Sequence, residues 1–479
     1  MKKNDIIIIC ITILYSVLFF GESAGINFLF FNLVIIGTLR SLHPKVALSS
    51  TIVLAMVGSL LSSINIVWHN THLSVVMNVI SIVFLGGVFF NQQNSFFVAG
   101  INSFYSFFTS LIINISKKLF TSNNSQPNKS SASEKSYKNI LIFLIPVSIT
   151  ILFISLYASA NPAFAHLIQY IDLSFISWER IRFTLGGAFL VFSFFRQVQI
   201  SSLTALDLNT SNFLLRSAAT KRKIPNLISL KHEYKTGWIL LLMLNIVLLI
   251  FNGTDLFHLT VGKLPEGVSY SSYVHQGVNT LIISIILAIA IILYYFRGSI
   301  NFYKKNKLLK QLGNVWLMQN LVLVATIAIK NSLYISTFGL TQKRIGVYVY
   351  LILTVAGLIT TFIKISRTKN NWFLIRINTI VFYIVFILGT FFHWNSIITR
   401  YNLQYGPQPD IEYLISISDN NLYNLLTINQ PDIVLTDRQN VLLQKKKTEF
   451  LRKGKAQSFL SWNHNDWQTK QTIESHVEF

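Results

Sequence analysis

From Ile6 to Phe392 one pattern recurs: an apolar run close to the length of a membrane-crossing helix, then a short connection that often carries Lys or Arg. A helix that crosses the hydrocarbon core of a bilayer needs about 20 apolar residues, within a range near 17–25. Eleven segments reach or approach that length: 6–21, 24–39, 46–66, 72–90, 139–160, 181–197, 237–252, 277–296, 314–331, 345–364 and 372–392. The composition agrees. Of 479 residues, 52% are hydrophobic and 12% charged, and the mean hydropathy is +0.50. A soluble domain carries about a quarter charged residues. The expected fold is therefore all-α: a polytopic helical bundle of about eleven transmembrane helices, followed by an extracytoplasmic helical C-terminal tail.

The formal net charge of +22 does not argue for nucleic acid, because the basic residues gather in the connections, where membrane topology puts them. With the N-terminus inside, the inner loops hold 24 Lys and Arg, the cluster Arg216 to Lys235 among them, against six in the outer loops. This places the N-terminus in the cytosol, the C-terminus outside it, and the chain in a bacterial cytoplasmic (inner) membrane as a multi-pass protein. Met1-Lys2-Lys3 followed by an apolar run looks like a secretion signal. No small-residue cleavage pattern follows, and Gly21-Glu22-Ser23-Ala24 leads into more apolar sequence, so the run reads as an uncleaved first span.

Segment 95–115 interrupts the pattern. Asn102, Ser103, Ser106, Ser110 and Asn114 break its apolar character, and it reads as an amphipathic helix lying at the interface. If it crossed, every later loop would change sides and the Arg216 to Lys235 cluster would face outward. The expected organisation is thus an N-terminal membrane group (1–116), a polar flexible linker (117–138), a C-terminal membrane group (139–392) and a polar tail (393–479). Apolar spacing in the tail predicts short helices at Ile411 to Ile417 and Asn421 to Leu426, and a longer one over Val441 to Gln457.

Ionisable residues inside the membrane are the default pointers to function, because each is costly there unless paired or wet. The first four spans contain no Asp, Glu, Lys or Arg. Arg376 lies close to the inner end of the last span, where snorkelling fits better than a binding role. Trp178-Glu179-Arg180-Ile181-Arg182 reads as an interfacial anchor rather than a gate. Pro162 ends the expected fifth span at Asn161. The outer loop from Asn252 to Gln276 holds Asp255, His258, Lys263, Glu266 and His275, at spacings that fit no metal pattern. Lys330 is assigned to an outer loop as well. Cys10 is the single cysteine and reads as a small apolar filler. No nucleophile elbow, phosphate loop or dinucleotide fingerprint occurs. Catalytic residues, metals and cofactors are not expected, and an enzyme is not the favoured reading.

Several stretches, taken in order, carry a resemblance. They are Ala24-Gly25-Ile26-Asn27-Phe28, then Ala158-Ser159-Ala160-Asn161-Pro162-Ala163-Phe164, then Tyr270-Ser271-Ser272-Tyr273-Val274-His275-Gln276-Gly277, then Phe338-Gly339-Leu340-Thr341-Gln342-Lys343-Arg344. Arg400-Tyr401-Asn402-Leu403, Asp410-Ile411-Glu412-Tyr413-Leu414 and Ser461-Trp462-Asn463 follow. In that order they resemble an uncharacterised bacterial multi-pass membrane family, the domain of unknown function 4153/4173 type. The chain departs from that pattern at Phe338, where Tyr is usual, and at His275 and Gln276, which replace a charged pair. The resemblance implies an integral membrane location and supplies no catalytic residues.

By this topology Tyr273, Arg344, Arg400, Tyr401 and Asn402 lie near the outer ends of spans and form a candidate outer-face site. Gly339 reads as a helix stop and Thr341 as the cap of the next helix. Two functions follow as expectations. One is a membrane-anchored interaction or signalling component, held in the lipid bilayer, with a protein partner met through the tail or the basic inner loops. The alternative is a transporter or permease for a small solute.

Overall fold

A computed structural model describes residues 3–121, 177–214, 227–261, 270–303, 305–406, 409–427, 435–455 and 458–475, with a few single positions between 146 and 161. The expected linker beyond Thr121, most of the expected span 139–160, its stop at Pro162 and residues 262–269 of the expected outer loop lie outside the described residues.

In the first part of the chain the helices are α1 (Lys3–Phe19), α2 (Ile26–Leu42), α3 (Ser50–His69), α4 (His72–Phe90), α5 (Phe96–Thr121), α6 (Trp178–Phe195) and the short α7 (Ser201–Asn209). Then come α8 (Leu227–Val261), α9 (Tyr270–Tyr295), α10 (Lys307–Phe338), α11 (Gln342–Ser366) and α12 (Asn371–Gly389). The C-terminal part adds α13 (Trp394–Tyr405), α14 (Ile411–Ser416), α15 (Leu422–Thr427), α16 (Asp437–Lys455) and α17 (His464–Ser475). No strand occurs among the described residues, only an isolated bridge between Phe213 and Lys369. The tail helices α14, α15 and α16 fall where the apolar spacing predicts them.

Among the described residues, seven helices are long and apolar enough to cross a membrane: Ser50–His69, His72–Phe90, Phe96–Asn114, Leu230–Val261, Lys307–Phe338, Gln342–Ser366 and Asn371–Gly389. Asn4–Phe19, Ile26–Leu42 and Leu281–Tyr295 are apolar but shorter. Phe96–Asn114 belongs to the seven, whereas the sequence suggests an interfacial helix there. The physical reason lies in which way its polar stripe faces. Asn102, Ser103, Ser106 and Ser110 are fully buried, while Phe104, Phe108 and Ile112 are more than 60% exposed. Asn102 Nδ2 donates to Thr204 Oγ1 at 3.1 Å, Gln197 Nε2 to Ser103 Oγ at 2.8 Å and Ser110 Oγ to Ser193 Oγ at 2.9 Å. A helix with its polar stripe inward and its phenylalanines outward is inverted relative to a water-soluble one. Hydrocarbon is the solvent that favours that arrangement.

The helices pack as two clusters. The first joins α1 to α6 with α12, around Ile35, Ile52, Leu85, Phe89, Phe96, Phe194 and Tyr383. The second joins α8 to α11, around Leu241, Ile285, Ile292, Trp316, Leu323 and Leu358. Thus α6 and α12, which follow the expected linker in sequence, pack with the N-terminal helices.

The C-terminal segment from α13 to α17 forms a cap on one end of these helices. It is tied to the turns that face that end. Ser23 N–H donates to Ser461 Oγ at 2.8 Å and Ile26 N–H to Trp462 O at 3.0 Å. Asn420 Nδ2 donates to the Asn70 carbonyl. Gly25 is required here, because a Cβ would come within 2.6 Å of the Trp462 carbonyl oxygen. Asp466 is half-buried beside Asn463 and Asn70, and desolvation raises its carboxyl above the usual range despite those hydrogen bonds.

The opposite end is closed by ion pairs. Arg196 binds Asp5 at 2.7 Å. Asp207 on α7 accepts from Ser95 N–H, Trp372 Nε1 and Arg376, at 2.6, 2.6 and 2.8 Å. Burial works against the Asp207 carboxylate, but those donors outweigh it and hold its pKa below the usual range. Arg376 also donates to Asn212 Oδ1 at 2.6 Å. It therefore fastens α7 to α12, where the sequence favoured snorkelling. At the cap end Trp178 is exposed and Arg180 lies over the Phe20 ring, 5.4 Å from its centroid, a placement that suits an anchor.

Candidate functional site

Helix α10 stops at Gly339, whose φ of +80° lies in the left-handed region that favours glycine. The turn that follows is held from two sides. From the cap, Asn402 on α13 grips one residue twice: its Oδ1 accepts from Leu340 N–H at 2.5 Å and its Nδ2 donates to Leu340 O at 2.8 Å. From α11, Arg344 donates to Phe338 O at 2.8 Å and to the Gly339 carbonyl, and its guanidinium lies 4.2 Å from the centroid of the Tyr334 ring. Thr341 caps α11 by accepting from Arg344 N–H at 3.4 Å. Both capping expectations for Gly339 and Thr341 thus describe the local structure.

The network continues into the helices. Asn331 is buried and donates to Arg344 O at 3.1 Å. Its neighbour Lys330 forms an ion pair with Asp255 of α8, and both side chains are only 5% exposed. One turn before Asp255, Asn252 donates through Nδ2 to Gln319 O at 3.0 Å. Gln319 Nε2 donates to Asn245 Oδ1 at 2.9 Å, and Asn245 Nδ2 reaches Leu312 O at 3.1 Å. Polar side chains therefore line the α8–α10 contact from Asn245 to Lys330, roughly parallel to both helix axes.

An ionised group in hydrocarbon costs several kcal/mol unless it is paired, and even a well-made buried pair recovers little more than that cost. The Asp255–Lys330 pair is thus poor evidence for added stability and good evidence for a site where charge matters. It lies nearer the cap end: Asp255 is six residues from the end of α8 and Lys330 eight from the end of α10.

Of the outer-face candidates, the structure brings Arg344 and Asn402 together around one turn. Tyr401 packs into the cap's apolar cluster, its ring 5.7 Å from that of Tyr405. Arg400 is exposed on the same helix. Tyr273 lies in the first turns of α9, where the side chains are outside the described residues. Asp255 was assigned to an outer loop because its apolar run was ended at residue 252, and Lys330, the last residue but one of the run 314–331, was counted with the outer loop that follows. Their helices continue to Val261 and Phe338. The signal was present in the register: Asn245, Asn252 and Asp255 repeat at seven and three residues, one face of a helix. Among the described residues, no three His, Cys, Asp or Glu side chains gather as a metal site.

Residues 51–428, from α3 through α15, match the family model described as a domain of unknown function, DUF4153. No curated protein and no solved structure matches the chain. That match covers most of the helices, the turn held by Arg344 and Asn402, and the ion pair beneath it, so the chain belongs to the DUF4153 family.

Proposed function

We propose that this chain is a multi-pass protein of a bacterial cytoplasmic membrane, with its N-terminus in the cytosol and its cap on the extracytoplasmic face. We infer further that it works as a membrane-anchored interaction or signalling component. With α5 counted as a crossing, Arg40, Arg196, Lys231, Lys235, Arg297, Lys307, Arg367 and Lys369 stand at helix ends opposite the cap, and that basic excess supports the orientation. The exposed aromatic side chains Trp68, Trp178, Phe459, Trp462 and Trp467 around the cap end suit a headgroup-level belt and support the membrane placement.

One observation carries the signalling reading. An unbroken run of contacts leads from Asn402 in the cap, through Leu340 and Arg344, to Asn331 and the buried Lys330–Asp255 pair. A partner that shifts α13 would move the turn, and the turn would move the end of α10 that carries Lys330. The test is a photo-crosslinking amino acid at Arg400 or Tyr405, both exposed on α13, in living cells. The reading expects one discrete protein adduct at α13 that is absent from the same probe at Leu206 on the opposite end. Adducts to lipid alone at every position would reject it.

A second reading, transport of a small solute, draws on the α8–α10 polar ladder itself. Proteoliposome flux that disappears in Asp255→Asn would favour it over signalling.

A further inference from the structure

We propose that the outward face of α16 is a docking surface for an acidic, amphipathic helix of a partner protein. The inference rests on the reading of the cap as a partner-binding element and names the chemistry of what binds there.

Helix α16 carries seven Lys and Arg against two acidic residues, Asp437 and Glu449. Its inner face is apolar. Leu442 and Leu443 pack on the cluster that includes Ile335 of α10 and Leu414 of α14, and Phe450 packs with Leu422 of α15 and Ile473 of α17. Lys446 is turned inward with them. Its ammonium donates to Ile415 O at 2.7 Å, to Asn421 Oδ1 at 2.9 Å and to the Ser418 carbonyl, which fixes the helix about its axis.

The opposite face is therefore directed away from the cap and from the helix ends it covers. It presents Arg438, Lys445 and Arg452, seven residues and so about 10 Å apart, with Val441 and Thr448 between them. All five side chains are exposed, Val441 at 68%. Lys445 and Arg452 have no ion pair among the described residues, and Arg438 has an exposed one to Glu412 at 3.4 Å. Of the acids on α16, Glu449 is held by Lys453 at 3.2 Å and Asp437 lies in the first turn, so the positive charge is uncompensated from Lys445 onward. Beside Lys445 a cavity of about 200 Å³ opens between α14 and α16, lined by Leu442 and Ser416 with Asp419 and Glu449, both held by Lys453. It offers a recess for one side chain of the partner.

Cations at heptad spacing, with Val and Thr between them, match a helix that carries carboxylates at the same spacing. A second copy docked face to face would set cation against cation. The headgroup layer lies toward the other side, where the cap meets the α1–α2 and α3–α4 turns.

The test uses the full chain in nanodiscs of zwitterionic lipid and a fluorescent helical peptide three heptads long, with Glu once per heptad and Leu between. A control peptide keeps the leucines and moves the glutamates to the opposite face. Exposed ion pairs are individually weak, so together they are expected to make the patterned peptide bind about ten-fold more tightly than the control, an advantage that fades as salt is raised. Lys445→Glu/Arg452→Glu is expected to abolish that preference and to favour the peptide with Lys in place of Glu. Equal binding of the two acidic peptides overturns the proposal, and so does a preference that survives charge reversal. Should the reversed variant lose the cap, Lys445→Gln/Arg452→Gln decides: loss of the preference supports the surface and its retention refutes it. A discrete adduct at α13 alongside failure of the peptide would leave the interaction reading standing and remove this one.

Discussion

The two helix clusters meet the same requirement, association in a solvent as apolar as their own side chains, with different chemistry. In the cluster of α1 to α6 and α12, the interior polar groups are neutral. Asn32 Nδ2 donates to Asn78 Oδ1 at 3.1 Å, Asn78 Nδ2 to Ser62 Oγ at 3.0 Å, Asn65 Nδ2 to Thr390 Oγ1 at 2.7 Å and Tyr383 OH to Ser81 Oγ at 2.8 Å. Close approach at small residues completes it: a Cβ on Gly58 would fall on the Tyr383 hydroxyl. In the cluster of α8 to α11, the interior holds Asp255 with Lys330, and Lys364 donating to Phe296 O at 2.7 Å. Interhelical hydrogen bonds of neutral side chains average only about 0.6 kcal/mol, yet carry little penalty when one partner is lost. A buried charge pair behaves in the opposite way. The first cluster is built as a frame. The second contains an interaction whose rupture has a large effect, and it sits where the cap's contacts lead.

That contrast can be broken most severely at the ion pair. Either Asp255→Asn or Lys330→Met alone leaves one buried charge, and each is expected to lose about 3–5 kcal/mol of stability in denaturant titrations. Removing both charges together is expected to restore most of the loss. Single variants that unfold like the wild type would mean that the pair is solvated. Next in size is Gly58→Val, which forces α3 away from Tyr383 and is expected to cost about 1–3 kcal/mol by the same assay. An unchanged unfolding midpoint would show that the first cluster does not depend on that close approach.

The joint between cap and first cluster offers a smaller, pH-dependent effect. The His393 ring stacks on His69 at 5.3 Å. Burial, then the neighbouring His69, pushes the His393 pKa down to about 4. An unfolded chain takes up that proton near pH 6.5, so stability is lost as pH falls through the window from 6.5 to 4. Protease cleavage of the cap should therefore quicken on acidification, and His393→Phe should flatten the response. The smallest effect is expected from Asn78→Ala in the neutral seam, about 0.6 kcal/mol in the same titrations. A loss as large as that of the ion-pair variants would erase the distinction between the clusters.

Much of the helical framework was legible in the sequence, because hydrocarbon imposes a length on apolar runs and Gly and Thr mark the ends. Gly339 and Thr341 stand where the backbone needs them. The tail helices α14 to α16 were legible from spacing. The inward face of α5 was not legible, because a polar stripe facing protein and one facing headgroups have the same composition. Only the partners Thr204, Gln197 and Ser193, far along the chain, separate the two cases. Asp255 and Lys330 were misplaced for a related reason. A charge ends an apolar run when it has no partner in view, and here the partner lies 75 residues away. Arg376 likewise needed Asp207 and Asn212 to become a clasp. Arg344 and Asn402 were named, but that they hold one turn depends on the packing of the cap.

The most direct measurement is hydrogen–deuterium exchange on the intact chain in nanodiscs, comparing the wild type with Asn402→Ala. Faster exchange is expected at Phe338 to Arg344 and in the stretch of α8 around Asp255, with the α3–α4 turn unchanged. Loosening confined to α13, with the Asp255 region as protected as before, would contradict the account.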